Sequence, residues 1–183
     1  MRSVRGRGTL PEARQVASPN HDSRPPGCEP TLLLLHSISL PRGHYGSGAV
    51  ERLFTNRLDP GEHASFAELA GLRVSAHFFV RRDGELLQFV PLERRAWHAG
   101  ASRWRGRERC NDISIGVELE GIESGPFESA QYARLTALIR SLRLRALAPL
   151  RELAAHSDVA PGRKADPGTR FDWARLLCSL ARD

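Results

Sequence analysis

The chain has 183 residues, 40% of them hydrophobic, enough for one well-filled core and most simply a single domain. Its longest purely apolar run, Leu32 to Leu35, is far short of the roughly 20 residues that cross a bilayer, so no membrane partner is expected. A formal charge of +6 makes polyanions or anionic substrates worth weighing, and all of the 27 basic residues except Lys164 are arginine. That one lysine either survives by chance or marks a position that needs a compact ammonium.

Residues 1–30 are rich in Arg, Pro, Ser and Gly and lack periodicity, which predicts an irregular arm that lies on the domain or is partly disordered and adds little core. The arm offers no hydrophobic stretch before a small-residue cleavage site, so a cytoplasmic setting is expected. The domain proper should occupy 31–183. Thr31 to Leu35 reads as a buried central strand delivering His36 at its end. Pro41 to Gly48 reads as a loop whose glycines lack nucleotide-binding spacing. Ala49 to Phe54 predicts a short helix, and Asp59, Pro60 and Gly61 a turn.

Ser75 to Val80 and Glu85 to Val90 flank Arg82-Asp83-Gly84, a hairpin signal. Along Ile113 to Glu118, Ile113, Ile115 and Val117 alternate with Ser114, Gly116 and Glu118. Glu118 therefore points away from the apolar layer, with open space left by Gly116 beside it. Leu135, Leu138, Ile139 and Leu142 predict an amphipathic helix over about Ser129 to Arg145. Glu152 to Ala155 reads as a strand ending in His156, and Asp172 as the cap of a last helix reaching about Leu180. Strands and helices alternating around a hairpin predict an α/β fold, a mixed β-sheet with helices packed on it. Cys28, Cys110 and Cys178 form no spaced pair and read as reduced bystanders.

His36 and His156 each follow a short apolar strand, and strand ends in α/β proteins are where sites assemble. The loop after His156 adds Lys164 and Asp166. Two imidazoles and a carboxylate make a three-ligand set for a zinc ion that keeps one position open. From spacing alone, three unrelated polar residues remain the alternative.

The segments Leu34-Leu-His-Ser-Ile-Ser-Leu-Pro41, Val74 to Gly84, Arg95-Ala-Trp-His-Ala-Gly100, Gly106 to Gly121, and Gly162 to Gly168 with Phe171-Asp-Trp173 closely resemble the zinc N-acetylmuramoyl-L-alanine amidases. Within them the match is to the cytoplasmic type acting on 1,6-anhydro-muropeptides in cell-wall recycling. The resemblance runs in order from about Leu10 to Leu180. It implies the fold shared with bacteriophage T7 lysozyme and peptidoglycan recognition proteins, and a muropeptide as the small-molecule partner.

By position, the resemblance makes His36, His156 and Asp166 the zinc ligands. It makes Glu118 the catalytic acid and base and Lys164 the group stabilising the oxyanion. Arg73 and Arg109 match arginines that meet stem-peptide carboxylates, and Trp97 an aromatic lining the groove. His77 and His98 lie in matching motifs and read as structural or ligand-orienting groups. Ser37 stands where the family commonly has Asn and can still donate one hydrogen bond, though an Asn amide offers donor and acceptor together. Ser65 stands where a tyrosine is common, and loss of that ring should loosen part of the groove. Two competing readings are a non-catalytic peptidoglycan-fragment binding module on the same fold, and a nucleic-acid binder suggested by the run Arg103 to Arg109 around Trp104. The complete ligand set with Glu118 and Lys164 favours the enzyme over the first. Glu108 and the family match of Arg109 argue against the second.

Overall fold

The computed structural model describes residues 8–144 and 149–182. Its strands are β1 (Arg14–Gln15), β2 (His21–Ser23), β3 (Leu32–Ile38), β4 (Phe78–Val80), β5 (Leu86–Gln88), β6 (Arg94–Ala96), β7 (Arg103–Trp104), β8 (Arg107–Glu108), β9 (Ser114–Glu120) and β10 (Glu152–Ala155). The helices are α1 (Ala49–Phe54), α2 (Ser129–Leu144), α3 (His156–Val159) and α4 (Trp173–Leu180), with 3-10 turns at Ala64–Leu69 and Cys110–Ile113.

The main sheet runs in the order β1-β5-β4-β9-β3-β10, antiparallel between β4 and β5 and parallel between every other neighbouring pair. The mixed α/β architecture expected from the sequence is therefore the one formed. Both central strands are covered on two sides, which explains the unbroken leucine run of β3 and the complete burial of β9. One face carries Leu33, Leu35, Ile115, Val117 and Leu119, packed with Leu135, Leu138, Ile139 and Leu142 of α2 and Leu176 of α4. Removing one such buried leucine side chain to alanine costs about 2–5 kcal/mol. Gln131 ties α2 to the sheet by donating to the carbonyls of Val80 and Glu120. The expected helix end at Arg145 lies outside the described residues.

The opposite face is split. Leu32 and Leu34 pack with Ala99, Ala154 and Val159, while Phe79 and Leu87 pack with Val50, Leu53 and Phe54 of α1. His36, two residues on from Leu34, rises from this face by strand alternation. The hairpin forms as predicted, with Gly84 at φ +87° and the Asp83 carboxylate accepting from the Glu85 amide. Asp172 caps α4 by accepting from the Arg175 amide at 2.8 Å.

The described part of the expected arm, residues 8–30, lies on the domain and contributes more to the core than expected. Leu10 is fully buried in the main core, β1 pairs with β5, and β2 pairs with β6. Gln88 holds the start of this attachment, accepting from the Leu10 amide and donating to the Gly8 carbonyl, each at 2.8 Å. Strands of two or three residues carry no periodicity of their own, so partner geometry decides them. Among the described residues no helix is long and apolar enough to cross a membrane, and the three cysteines are unpaired.

Candidate metal centre

Parallel pairing brings the predicted ligands together. Ala155 on β10 is the register partner of Leu35 on β3, so the residues that follow, His156 and His36, are neighbours. β10 ends there as expected, but β3 runs on to Ile38 because it stays paired with β9, so His36 sits within the strand and not at its end. The loop after α3 returns to them, and the Ser157 amide donates to the Asp166 carbonyl at 3.1 Å.

The three donor atoms form a near-equilateral triangle. His36 Nδ1 and His156 Nδ1 are 2.9 Å apart, and Asp166 Oδ2 lies 3.2 and 3.0 Å from them. Lone pairs that converge so closely repel one another unless protons or a cation lie between them. Two imidazole nitrogens and one carboxylate oxygen so gathered are a donor set that would hold a metal ion such as zinc with a fourth position open. The outer nitrogens agree with this. His156 Nε2 lies 3.2 Å from the Ala99 carbonyl, which only accepts, so Nε2 carries the proton and Nδ1 offers its lone pair. His36 Nε2 lies 2.9 Å from His98 Nδ1. The residues present fit a metal ion.

Burial sets the charges. Desolvation lowers the His36 pKa to about 4, so its imidazole is neutral and ready to ligate. Burial alone would raise Asp166, but its contacts with His156 and His36 hold the carboxyl below its usual range. Glu118 is raised well above the ordinary carboxylate range, first by burial and then by the Asp166 charge, with Lys164 opposing. Its Oε2 has no hydrogen-bond partner among the described residues.

Glu118 is not the solvated strand residue that alternation left possible, because its exposure is 8%. Nor does Gly116 leave open space. A Cβ there would stand 2.6 Å from the His98 ring, which fills the surface beside Glu118. Of the two histidines expected to be structural, His98 touches a ligand. His77 instead accepts from the Gly116 amide at 3.0 Å and lies 3.1 Å from the Arg94 carbonyl.

A cleft of about 520 Å³ gathers His36, His156, Asp166, Glu118, Lys164 and Trp97, a size typical of ligand sites. Leu53, Phe54, Leu72 and Val74 give it an apolar wall. Arg73 is exposed and lies outside this lining, although its neighbours Leu72 and Val74 belong to it. Arg109 lines a separate depression with Ser102 and Val159. Ser37 lines the cleft with its buried hydroxyl unpartnered. Ser65 does not line it, and its hydroxyl and amide both bond His63 Nδ1. Sequence reading missed Arg163, which lines the cleft beside Lys164, and Glu123, which reaches it while paired with Arg42. Adjacency to Lys164 was the only signal for the first, and none existed for the second. Trp104 bonds Glu152 through its indole nitrogen, and Arg103 and Arg105 are paired with Glu108 and Glu152, so these groups of the hairpin already have partners within the chain.

The model of the family described as N-acetylmuramoyl-L-alanine amidase matches residues 28–169. The chain belongs to the N-acetylmuramoyl-L-alanine amidase family. This amidase is 52% identical over 173 residues to the 1,6-anhydro-N-acetylmuramyl-L-alanine amidase AmpD of Enterobacter cloacae, covering 94% of this chain and 92% of that one. It superposes on the crystal structure of a selenomethionine AmpD derivative with a TM-score of 0.91 and 48% identity, covering 96% and 98% of the two chains. The amidase AmiD from E. coli, solved with anhydro-N-acetylmuramic acid-L-Ala-D-γ-Glu-L-Lys as its substrate, is 31% identical with a TM-score of 0.59, covering 85% and 60%.

Proposed function

We propose that this amidase hydrolyses the amide between the lactyl group of 1,6-anhydro-N-acetylmuramic acid and the L-alanine of the stem peptide, as a step in cell-wall muropeptide recycling. The proposal includes zinc as the ion held by His36, His156 and Asp166, and a cytoplasmic setting in which soluble fragments are the substrate met. The carrying observation is the triangle of donor atoms with Glu118 beside it in strand register. Relatives named for this activity and the AmiD substrate complex support the choice of bond.

A bound zinc ion supplies Lewis-acid chemistry, polarising oxygen and acidifying water. The chain's own groups do the rest. Glu118, as carboxylate, accepts the proton that the attacking water loses as the C–O bond forms. As acid it returns that proton to the nitrogen as the C–N bond breaks. A raised pKa suits both halves of that cycle. The Lys164 ammonium stabilises charge developing on the carbonyl oxygen. Trp97 offers an indole face to sugar or peptide, and Arg73 and Arg109 provide guanidinium forks for stem-peptide carboxylates arriving from outside the cleft lining.

The test is incubation of zinc-loaded protein with purified 1,6-anhydro-N-acetylmuramyl tripeptide, followed by mass spectrometry. Free sugar and released peptide together are the expected result. Intact substrate from folded, zinc-bound protein would overturn the proposal and favour a module that binds without cutting.

A further inference from the structure

The two histidine ligands lean on one short stretch of chain, one on a side chain and the other on a carbonyl. His98 Nδ1 lies 2.9 Å from the outer nitrogen of His36, and the carbonyl of the next residue, Ala99, lies 3.2 Å from the outer nitrogen of His156. A single peptide step thus meets both ligands from behind. It belongs to no strand or helix, because β6 ends two residues earlier at Ala96. Something else must hold it.

Asn111 does so from the turn preceding β9. Its Oδ1 accepts from two consecutive amides, His98 N–H at 3.2 Å and Ala99 N–H at 2.8 Å. The neighbouring groups complete the brace. Gly116 leaves room for the His98 ring, and the far ring nitrogen of His98 lies 3.3 Å from Ser114 Oγ. Arg163 Nη2 donates to the Ala99 and Ala101 carbonyls, each at 2.6 Å. Asn111 itself lines no part of the cleft.

We infer that Asn111 is a positioning residue for the metal centre: one side-chain oxygen fixes the His98–Ala99 step and, through it, the tautomer and direction of both His36 and His156. This rests on the metal reading above. A ligand imidazole is tuned by whatever its second nitrogen meets, and losing such a partner typically weakens metal binding by about 10–100-fold. Here one residue governs the partners of two ligands without contacting either.

Zinc affinity, measured by competition with a chromophoric chelator, tests this on the full chain as the parent, Asn111→Ala and Asn111→Asp, with circular dichroism and melting of each metal-free form alongside. A folded Asn111→Ala should bind zinc about tenfold or more weakly. Asn111→Asp keeps the accepting oxygen and should stay close to the parent. A purely structural role would lower the metal-free melting temperature and leave affinity intact. Folded Asn111→Ala with parental affinity, or Asn111→Asp as weak as Asn111→Ala, overturns the inference. If Asn111→Ala does not fold, amide exchange in the parent decides: zinc should increase protection at His98 and Ala99, and unchanged protection refutes the role. A parent that takes up no zinc removes the metal reading itself, a result distinct from any difference among variants.

Discussion

His36 and Glu118 are register partners in the parallel pair β3 and β9, so the proposed metal ligand and the proposed proton carrier rise side by side from one face of the sheet. Neighbouring strands lie about 4.8 Å apart, which leaves room for a substrate carbonyl and a water near both groups. Glu118→Gln keeps the volume and removes the exchangeable acid. It should retain full zinc while lowering turnover by about 10²-fold or more. Metal stoichiometry and single-substrate kinetics check this, and near-normal turnover would reject the assignment.

His156→Ala and Asp166→Ala each remove one corner of the donor triangle. Both should lose zinc along with activity, read as metal per chain by atomic absorption after dialysis. A variant holding zinc with parental affinity refutes that ligand.

Lys164 is the single lysine among 27 basic residues and is exposed at the cleft. Arginine carries the same charge on a planar, larger head, so Lys164→Arg should bind zinc normally yet turn over more slowly, and Lys164→Ala more slowly still. Equal kcat in all three would remove Lys164 from the reaction.

What the sequence made legible was local. The leucine run of β3, the Asp83-Gly84 turn and the spacing along α2 each carry their own pattern, and His36 and His156 stand out as the polar residues that follow short apolar runs. Asp166 and Glu118 became assignable through resemblance, since their partners lie far away in the chain. The remainder depended on contacts between distant segments. Asn111 meets the His98 amide across 13 residues with nothing in its neighbourhood to announce it. Gly116 looked like vacant space because its occupant, the His98 ring, comes from another segment. β1 and β2 take their form from β5 and β6.

Burial makes His77 a source of acid sensitivity, since its folded pKa falls from 6.5 to about 3. Between these values the unfolded chain binds a proton that the folded chain does not, so stability declines as pH falls from 6.5 toward 3, by about 1.4 kcal/mol per pH unit for one such group. Above 6.5 both forms are neutral and the dependence vanishes. His77→Gln keeps an acceptor and a donor without titrating, and should flatten the slope of unfolding free energy against pH in urea melts of the metal-free chain. Identical slopes would exclude His77 as the source.

The arginine-rich hairpin of β7 and β8 tests the charge reading. With Trp104 engaged by Glu152 and Arg103 by Glu108, fluorescence anisotropy with labelled DNA should show no binding at physiological salt. Steeply salt-dependent binding there would restore a nucleic-acid role.

The attachment of residues 10–18 reaches beyond core filling. The Val16 and Ser18 amides donate to the carbonyls of Gln88 and Phe89, closing the border of the sheet along β5. A shortened chain starting at Pro30 would strip that hem and bare a row of unpaired backbone groups beside apolar Leu87. Such borders recruit other strands, so the trimmed protein should cling to its own copies in light scattering where the full chain does not.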